Sequence, residues 1–186
     1  MHVKVKFLVA AGLALAFSSA GYAANLNSTA ATVTLNATLA ESLTVTPTVS
    51  NLNIALVPGA KSAASANVGI TTTWVLGASR GNVQVVSYLG SASAALSDGT
   101  NNIPASAVYG IVNSGTAAAY TNGQSNGIGL AGATLNIGAP TAITTANRNS
   151  SRTDTLALQV DLSTGSLPQL PASTYIGTLN IQAVAY

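Results

Sequence analysis

Apolar and polar side chains alternate along most of this chain, in runs separated by clusters of Gly, Asn, Pro and Ser. Successive side chains of a β-strand point to opposite faces, so a period of two indicates strands that bury one face. After residue 24 no stretch shows the sustained period of an amphipathic helix. The sequence therefore predicts an all-β fold, an Ig-like Greek-key antiparallel β-sandwich of about 7–9 strands. The runs are TVTLNATLAESLTV (32–45), NLNIALV (51–57), NVGITTTWVL (67–76), GNVQVVSYL (81–89), SAVYGIV (106–112), ATLNIG (133–138), DTLALQVDL (154–162) and TYIGTLNIQAVAY (174–186).

The first 23 residues combine a basic start, an apolar run over residues 7–17 and a small-x-small ending at Gly21-Tyr22-Ala23. This order is typical of a secretory signal peptide, which we place at 1–23. A membrane-spanning helix needs about 20 apolar residues, so the run is too short for a retained anchor. The sequence therefore predicts an exported protein whose mature chain has no membrane span.

Removal of this segment changes the charge balance. The whole chain has six Lys and Arg against four Asp and Glu, a net charge of +2, but Lys4 and Lys6 lie in the predicted signal peptide. Four basic and four acidic residues remain, so the mature chain is neutral. A neutral chain gives no basis for a nucleic-acid or anionic-membrane partner. It also does little to suppress self-association, as suits an assembling subunit.

Residues able to do chemistry are scarce. The chain has no Cys, and its single His, His2, lies in the predicted signal peptide, which excludes Ser-His-Asp and Cys-His machinery and the commonest zinc sites. Asp154 and Asp161 are expected to be solvated strand-end residues rather than a catalytic pair. GIGLAG (127–132) lacks the strand-then-helix context of a dinucleotide site and is expected to be a flexible loop. We expect no enzyme activity, no cofactor and no metal site.

The aromatic residues and the longest irregular stretch give three further expectations. Trp74 lies among strand residues and is expected in the core. Tyr109 and Tyr120 lie near Gly-rich turns, where exposed rings would be candidates for glycan contact. NSGTAAAYTNGQSNGIGLAG (113–132) is the least strand-like part, and we expect a long mobile loop or a loosely held hairpin there.

Near the N-terminus, every odd position from Val33 to Val45 is apolar except Glu41. At about 3.3 Å per residue these thirteen residues would span over 40 Å, longer than an ordinary strand. Glu41 thus indicates a bend or bulge. Either the segment is one long strand kinked at Glu41, which fold statistics alone favour, or an arm precedes a first strand at 42–46. We divide the chain into a signal peptide (1–23), an extended arm (24–41) and one β-sandwich domain (42–186).

Two stretches at the chain ends carry a resemblance to a known family. ATVTLNATLAESLTVTPTVSNLNIALVPG (31–59) joins an alternating arm to a first strand, with Leu52-Asn53-Ile54-Ala55 in place of a Leu-Asn-Phe-Gly-like element. LPASTYIGTLNIQAVAY (170–186) has a Gly-Thr-Tyr-like entry at 171–175, alternating apolar residues and a terminal tyrosine. Both stretches resemble exported subunits of the spore coat protein U and archaic chaperone–usher pilus group.

The resemblance implies an immunoglobulin sandwich that lacks one strand, so that its final strand borders an open apolar groove. In such subunits a periplasmic chaperone fills the groove first. The N-terminal arm of a neighbouring subunit then replaces the chaperone by strand addition. The resemblance also implies an outer-membrane usher and secretion to the cell surface via the periplasm. The implied donor residues are Val33, Leu35, Ala37 and Leu39, and the implied acceptor edge is Leu179, Ile181, Ala183, Ala185 and Tyr186.

Two functions from different classes follow as hypotheses. The first is an exported structural subunit of a bacterial surface fibre, pilus or coat, assembled by β-strand addition of the arm. The second is a secreted monomeric β-sandwich binding module for a glycan or matrix polymer, without polymerisation. In the second case the arm folds back into its own sandwich rather than being donated to a neighbour.

Overall fold

The computed structural model of this protein describes residues 28–186. The predicted signal peptide, 1–23, and the first residues of the predicted arm, 24–27, lie outside the described residues. The chain divides into two compact units, with the boundary between Ala37 and Thr38. Between residues 28 and 186, no helix has both the length and the apolar character needed to cross a membrane.

The described part of the first unit, 28–37, contains neither helix nor strand, and all of its residues are exposed. The side chains of Val33 and Leu35 are 82% and 90% exposed. Residues 38–41, at the start of the second unit, are also exposed and irregular. The alternating pattern of 32–45 therefore becomes strand only from Ser42 onward.

The second unit is built almost wholly of β-strands, and the predicted all-β antiparallel sandwich is confirmed. It has twelve strands, more than the predicted 7–9, because six of them are only two or three residues long. Two single 3₁₀ turns, Ala105–Ala107 and Leu167–Gln169, complete it. The strands are β1 (Ser42–Pro47), β2 (Lys61–Ala63), β3 (Val68–Val75), β4 (Asn82–Leu89), β5 (Leu96–Ser97), β6 (Asn102–Ile103), β7 (Val108–Val112), β8 (Ala118–Ala119), β9 (Thr134–Asn136), β10 (Thr141–Ala142), β11 (Asn149–Asp161) and β12 (Leu179–Ala185).

The strands form two main sheets and one small hairpin. The first sheet has the order β1-β3-β11-β7-β8, with β2 added on the last residues of β11. The second sheet has the order β10-β4-β12, with β9 also paired to β4. Strands β5 and β6 pair with each other. Because β1 and β12 end these two sheets, the first and last strands of the domain are both edge strands.

The core lies between the inner faces of the two sheets and is mostly aliphatic. Val85 and Leu89 of the second sheet pack in one cluster with Val68, Leu156 and Val160 of the first. Burial of such side chains stabilises the fold by about 1.5–3 kcal/mol each.

Trp74 is a core residue, as predicted. Its side chain is almost fully buried. Its indole Nε1–H donates to the carbonyl oxygen of Asn147 at 2.8 Å. This bond satisfies the polar end of the ring, which is what allows a Trp to be buried whole.

The predicted strand at 51–57 is wrong. Its only β-pairing is a single bridge between Ile54 and Ala64. Leu52, Ile54 and Leu56 are nonetheless packed against the core as partly buried side chains. The alternation is therefore real, but it reflects an extended segment that covers the core without a partner strand.

The expected exposure of Tyr120 is also wrong, because its side chain is completely buried. Strand β8 pairs with β7 and turns the following residue inward. The Tyr120 hydroxyl and Ser87 Oγ share a hydrogen bond of 2.9 Å, and Ser87 Oγ also donates to Leu135 O. Burial raises the pKa of Tyr120. Of the stretch 113–132, residues 113–119 belong to a hairpin made by β7 and β8, and residues 120–132 connect β8 to β9 with isolated bridges alone.

The expectation that Asp154 and Asp161 are solvated is wrong as well, since both are buried on β11. Asp154 accepts a hydrogen bond of 2.7 Å from Arg152 Nε. Asp161 accepts bonds from Ser163 and lies 3.4 Å from Lys61 Nζ. The Ser163 bonds, helped by Lys61, hold the pKa of Asp161 below its usual value. Each carboxylate is thus occupied by structural partners.

Candidate strand-accepting groove

Two unpaired strand edges lie on the same side of the sandwich. Within the described residues, β1 pairs only with β3 and β12 pairs only with β4. Leu43 of β1 and Ala185 of β12 nevertheless pack on one small cluster with Trp74, Leu76 and Val83. The two edges therefore approach each other at this end, although no ladder joins them.

The register of β12 determines which backbone groups are free. Tyr186 exchanges two hydrogen bonds with Asn82, of 3.1 and 3.0 Å. In an antiparallel pair, hydrogen-bonded and non-hydrogen-bonded positions alternate. Gln182 and Val184 therefore bond to β4, as Tyr186 does. The intervening residues direct their N–H and C=O groups to the open edge, and these are Leu179, Ile181, Ala183 and Ala185.

The same four residues direct their side chains inward. Leu179, Ile181 and Ala183 pack against the main core, and Ala185 packs against the small cluster. The four apolar residues of the predicted acceptor edge thus combine inward side chains with unpaired backbone groups. Tyr186, the fifth predicted residue, is 42% exposed, and its backbone is already bonded to Asn82 and Gly81.

The opposite edge, β1, has the same arrangement. Thr48 N–H donates to Gly69 O at 2.8 Å. Because hydrogen-bonded positions alternate along an antiparallel pair, the even-numbered residues of β1 direct their backbone N–H and C=O groups to β3. Leu43 and Val45 are half-buried and direct their backbone groups to the open side. Pro47 ends this edge, because it has no N–H to offer a further strand.

A groove with a volume of about 620 Å³ lies beside the last residue of β1 and the first residues of β12. One wall comes from residues 47–54 and the other from residues 174–181. Its floor consists mostly of side chains from both sheets that are 0–7% exposed, so the core is reached at the bottom of the groove but is already covered there. The floor residues are Val68, Leu89, Ala95, Val108, Leu158 and Val160.

Beyond the groove, the start of β1 is held by Glu41, the residue that interrupts the apolar alternation. Its Oε1 accepts a hydrogen bond of 2.5 Å from Gly77 N–H, and its Oε2 lies 3.1 Å from Arg80 Nη2. The Arg80 bond, followed by the Gly77 bond, holds the pKa of Glu41 below its usual value. This anchor lies immediately before β1 begins.

The predicted donor residues Val33, Leu35, Ala37 and Leu39 are all exposed, and none lies in a strand. Leu39, at the start of the second unit, is 83% exposed. Large apolar side chains with this exposure at every second position have no packing partner among residues 28–186.

The residues that shape the groove around 174–181 were not predicted from the sequence. Ile176 exchanges backbone hydrogen bonds of 2.8 and 2.9 Å with Ser97, while its side chain is 73% exposed at the rim. A Cβ at Gly177 would collide with the carbonyl oxygen of Ala95. Only glycine permits this close approach. The pair Ile176-Gly177 after Tyr175 was the feature of the sequence that could have indicated this close approach.

No group of three or more His, Cys, Asp or Glu suited to hold a metal occurs in residues 28–186. Searches with protein-family models, among curated proteins and among solved structures gave no match to this chain.

Proposed function

We propose that this protein is an exported structural subunit of a bacterial surface fibre, pilus or coat, in which the arm of one copy fills the groove of another. One observation carries the proposal: a groove adjoins two unpaired strand edges, and a segment with strand periodicity is exposed in the same chain. A strand added in the groove along β12 would pair with the free backbone groups of Leu179 and Ile181 and would cover the floor.

The length of the arm suits the length of the edge. The residues from Val33 to Leu39 offer four apolar positions over six steps, about 20 Å in a strand. The inward positions from Leu179 to Ala185 cover the same number of steps. Full burial of each large arm side chain contributes about 1.5–3 kcal/mol. Each backbone hydrogen bond at the edges adds about 0.5–1.5 kcal/mol.

An open strand edge over an apolar groove is an aggregation hazard until it is covered. The proposal therefore includes export under the predicted signal peptide to the cell surface. It also includes a periplasmic chaperone and an outer-membrane usher, the partners that the resemblance implies. Cell adhesion through the assembled fibre is the expected use.

Complementing variants of residues 24–186 test the proposal. A donor variant, Leu35→Asp with Leu39→Asp, keeps the groove but has two charged side chains in its arm, which therefore cannot be buried in a groove. An acceptor variant, Ala183→Pro, keeps the arm but blocks the edge. Its lost N–H faces the open side rather than β4, so the domain is expected to fold. Val184→Pro, whose N–H bonds to β4, is the matched control and is expected to unfold.

We expect the unaltered chain to form a ladder of multimers that resist SDS without heating. Each folded variant alone should stay monomeric, and a mixture of the two should stop at a dimer. Ladders from either variant alone would contradict the proposal. A stable monomer of the unaltered chain that unfolds when the arm is altered would favour the monomeric binding module instead. That alternative has lost one of its candidate contact residues, since Tyr120 is buried.

A further inference from the structure

β1 and β12 converge beyond the groove, and one side chain spans the two strands there. Arg80 Nη2 lies 3.1 Å from Glu41 Oε2, and Arg80 Nη1 donates to Ala185 O at 3.4 Å. Glu41 immediately precedes β1, and Ala185 is the last residue of β12. The guanidinium group therefore connects the two edges at the point where Leu43 and Ala185 already pack on one cluster.

Both contacts involve groups that strand addition would use. The carbonyl oxygen of Ala185 points to the open edge, so it is one of the acceptors that an added strand needs. The Arg80 guanidinium lies on the open side of this carbonyl, in the space that the backbone of an added strand would take. Glu41 lies where the arm joins the domain. A strand that pairs along the whole of β12 cannot do so while the Arg80 bond to Ala185 persists.

The contacts of Arg80 with Glu41 and Ala185 are weak enough to break when a strand enters. The side chains of Arg80 and Glu41 are each 41% exposed. Exposed ion pairs contribute little to stability, since water screens them and two long side chains must be ordered. The bond to Ala185 is long for a charge-assisted hydrogen bond. Gly77 N–H holds Glu41 independently, so the start of β1 stays anchored if Arg80 moves.

We propose that Arg80 is a latch that holds the end of β12 to the start of β1, beyond the groove, in the empty subunit. An entering strand pairs first in the groove, between residues 47–54 and 174–181. It must then displace Arg80 from Ala185 O to complete its pairing. This inference rests on the proposed function, and it names the residue that limits the rate of strand entry.

The test is peptide uptake by the full chain that carries the donor variant, whose groove is free. A fluorescent peptide of residues 29–40 is added, and the association rate is followed by anisotropy. Arg80→Gln opens the latch. Lys61→Gln is the control for loss of charge, because it removes the same charge from an exposed side chain, one paired with the buried Asp161 and far from Ala185 in the fold. Thermal unfolding of each variant checks that it is folded.

We expect Arg80→Gln to take up the peptide about two- to fivefold faster than the parent, as the removal of one exposed ion pair allows. Lys61→Gln should match the parent within error. If Arg80→Gln does not fold, Glu41→Gln serves as the second variant, since it keeps an acceptor for Gly77 but weakens the hold on Arg80. Equal or slower uptake by the latch variant, with normal uptake by the parent, would overturn the latch alone. No uptake by any chain would overturn the proposed function and the latch with it.

Discussion

The most detailed prediction concerns which side chains of the arm are buried when it enters the groove. Leu35 and Leu39 are 90% and 83% exposed, so nearly the whole transfer free energy of each side chain is available on burial. A Leu→Ala change removes about three CH₂ equivalents at about 0.8 kcal/mol each, or about 2.4 kcal/mol. That loss raises Kd about 50-fold. Val33→Ala removes about two equivalents and should raise Kd about 15-fold.

Peptides of residues 29–40 that carry these changes are titrated into the donor variant of the full chain, and Kd is read from anisotropy. Thr34→Ala and Thr38→Ala are matched controls on the opposite face of the same strand. They should change Kd by no more than about twofold, as exposed substitutions usually do. Larger losses at the threonines than at the leucines would mean that the other face is buried. Equal losses at all positions would mean that no strand forms.

Three further predictions concern the domain itself. Arg152→Met leaves the buried carboxylate of Asp154 without its cation and should lower the free energy of unfolding in urea by about 3–5 kcal/mol. Arg152→Met combined with Asp154→Leu should recover most of that stability. Equal losses of stability in the single and double variants would refute this reading of the pair. Tyr120→Phe removes the buried bond to Ser87 and should cost about 0.5–1.5 kcal/mol by the same measurement, with no change taken as evidence against a bonded hydroxyl. Hydrogen bonds, from Asn101 first, lower the pKa of Asp98 to about 2, so the stability gained from its ionised form is present above pH 4 and lost as pH falls toward 2. The stability advantage over Asp98→Asn should shrink over that interval, and an advantage that does not change with pH would contradict the assignment.

The period of two was sufficient to predict the long strands. β3, β4 and β12 fall within alternating runs of the sequence, and the run at 154–162 covers all of β11 except its first five residues. The same pattern failed at 51–57, because alternation records which side chains face the core and carries no information on whether a backbone partner exists. The arm at 32–40 shows the same limit, since its alternation produces no strand in the single chain.

Only part of the groove could be predicted from the sequence. The inward positions of β12 follow from alternation, and the register then fixes which backbone groups are free. The other wall, at 47–54, and the close approach at Gly177 depend on contacts with distant segments. Glu41 was visible as an interruption of the pattern. Its partners Gly77 and Arg80, 36 and 39 residues away, were not.

The buried polar residues were misjudged for a related reason. A carboxylate or a tyrosine is placed on the surface unless its partners are known. Asp154 pairs with Arg152 two residues away, but its burial depends on the packing of β11 in the middle of a sheet. Tyr120 is buried because β8 turns over the core. Neither arrangement has a signature in the local sequence.

The central claim is that the arm of one copy enters the groove of another, and a photo-cross-link can test it directly. The chain carries a diazirine amino acid in place of Leu35, and copies labelled with ¹⁴N and ¹⁵N are mixed before they assemble. We predict cross-linked peptides that join position 35 to residues 174–181, with half of the pairs mixed in isotope. Pairs of a single isotope throughout would mean that each arm fills its own groove, and cross-links elsewhere would mean that the groove does not accept the arm.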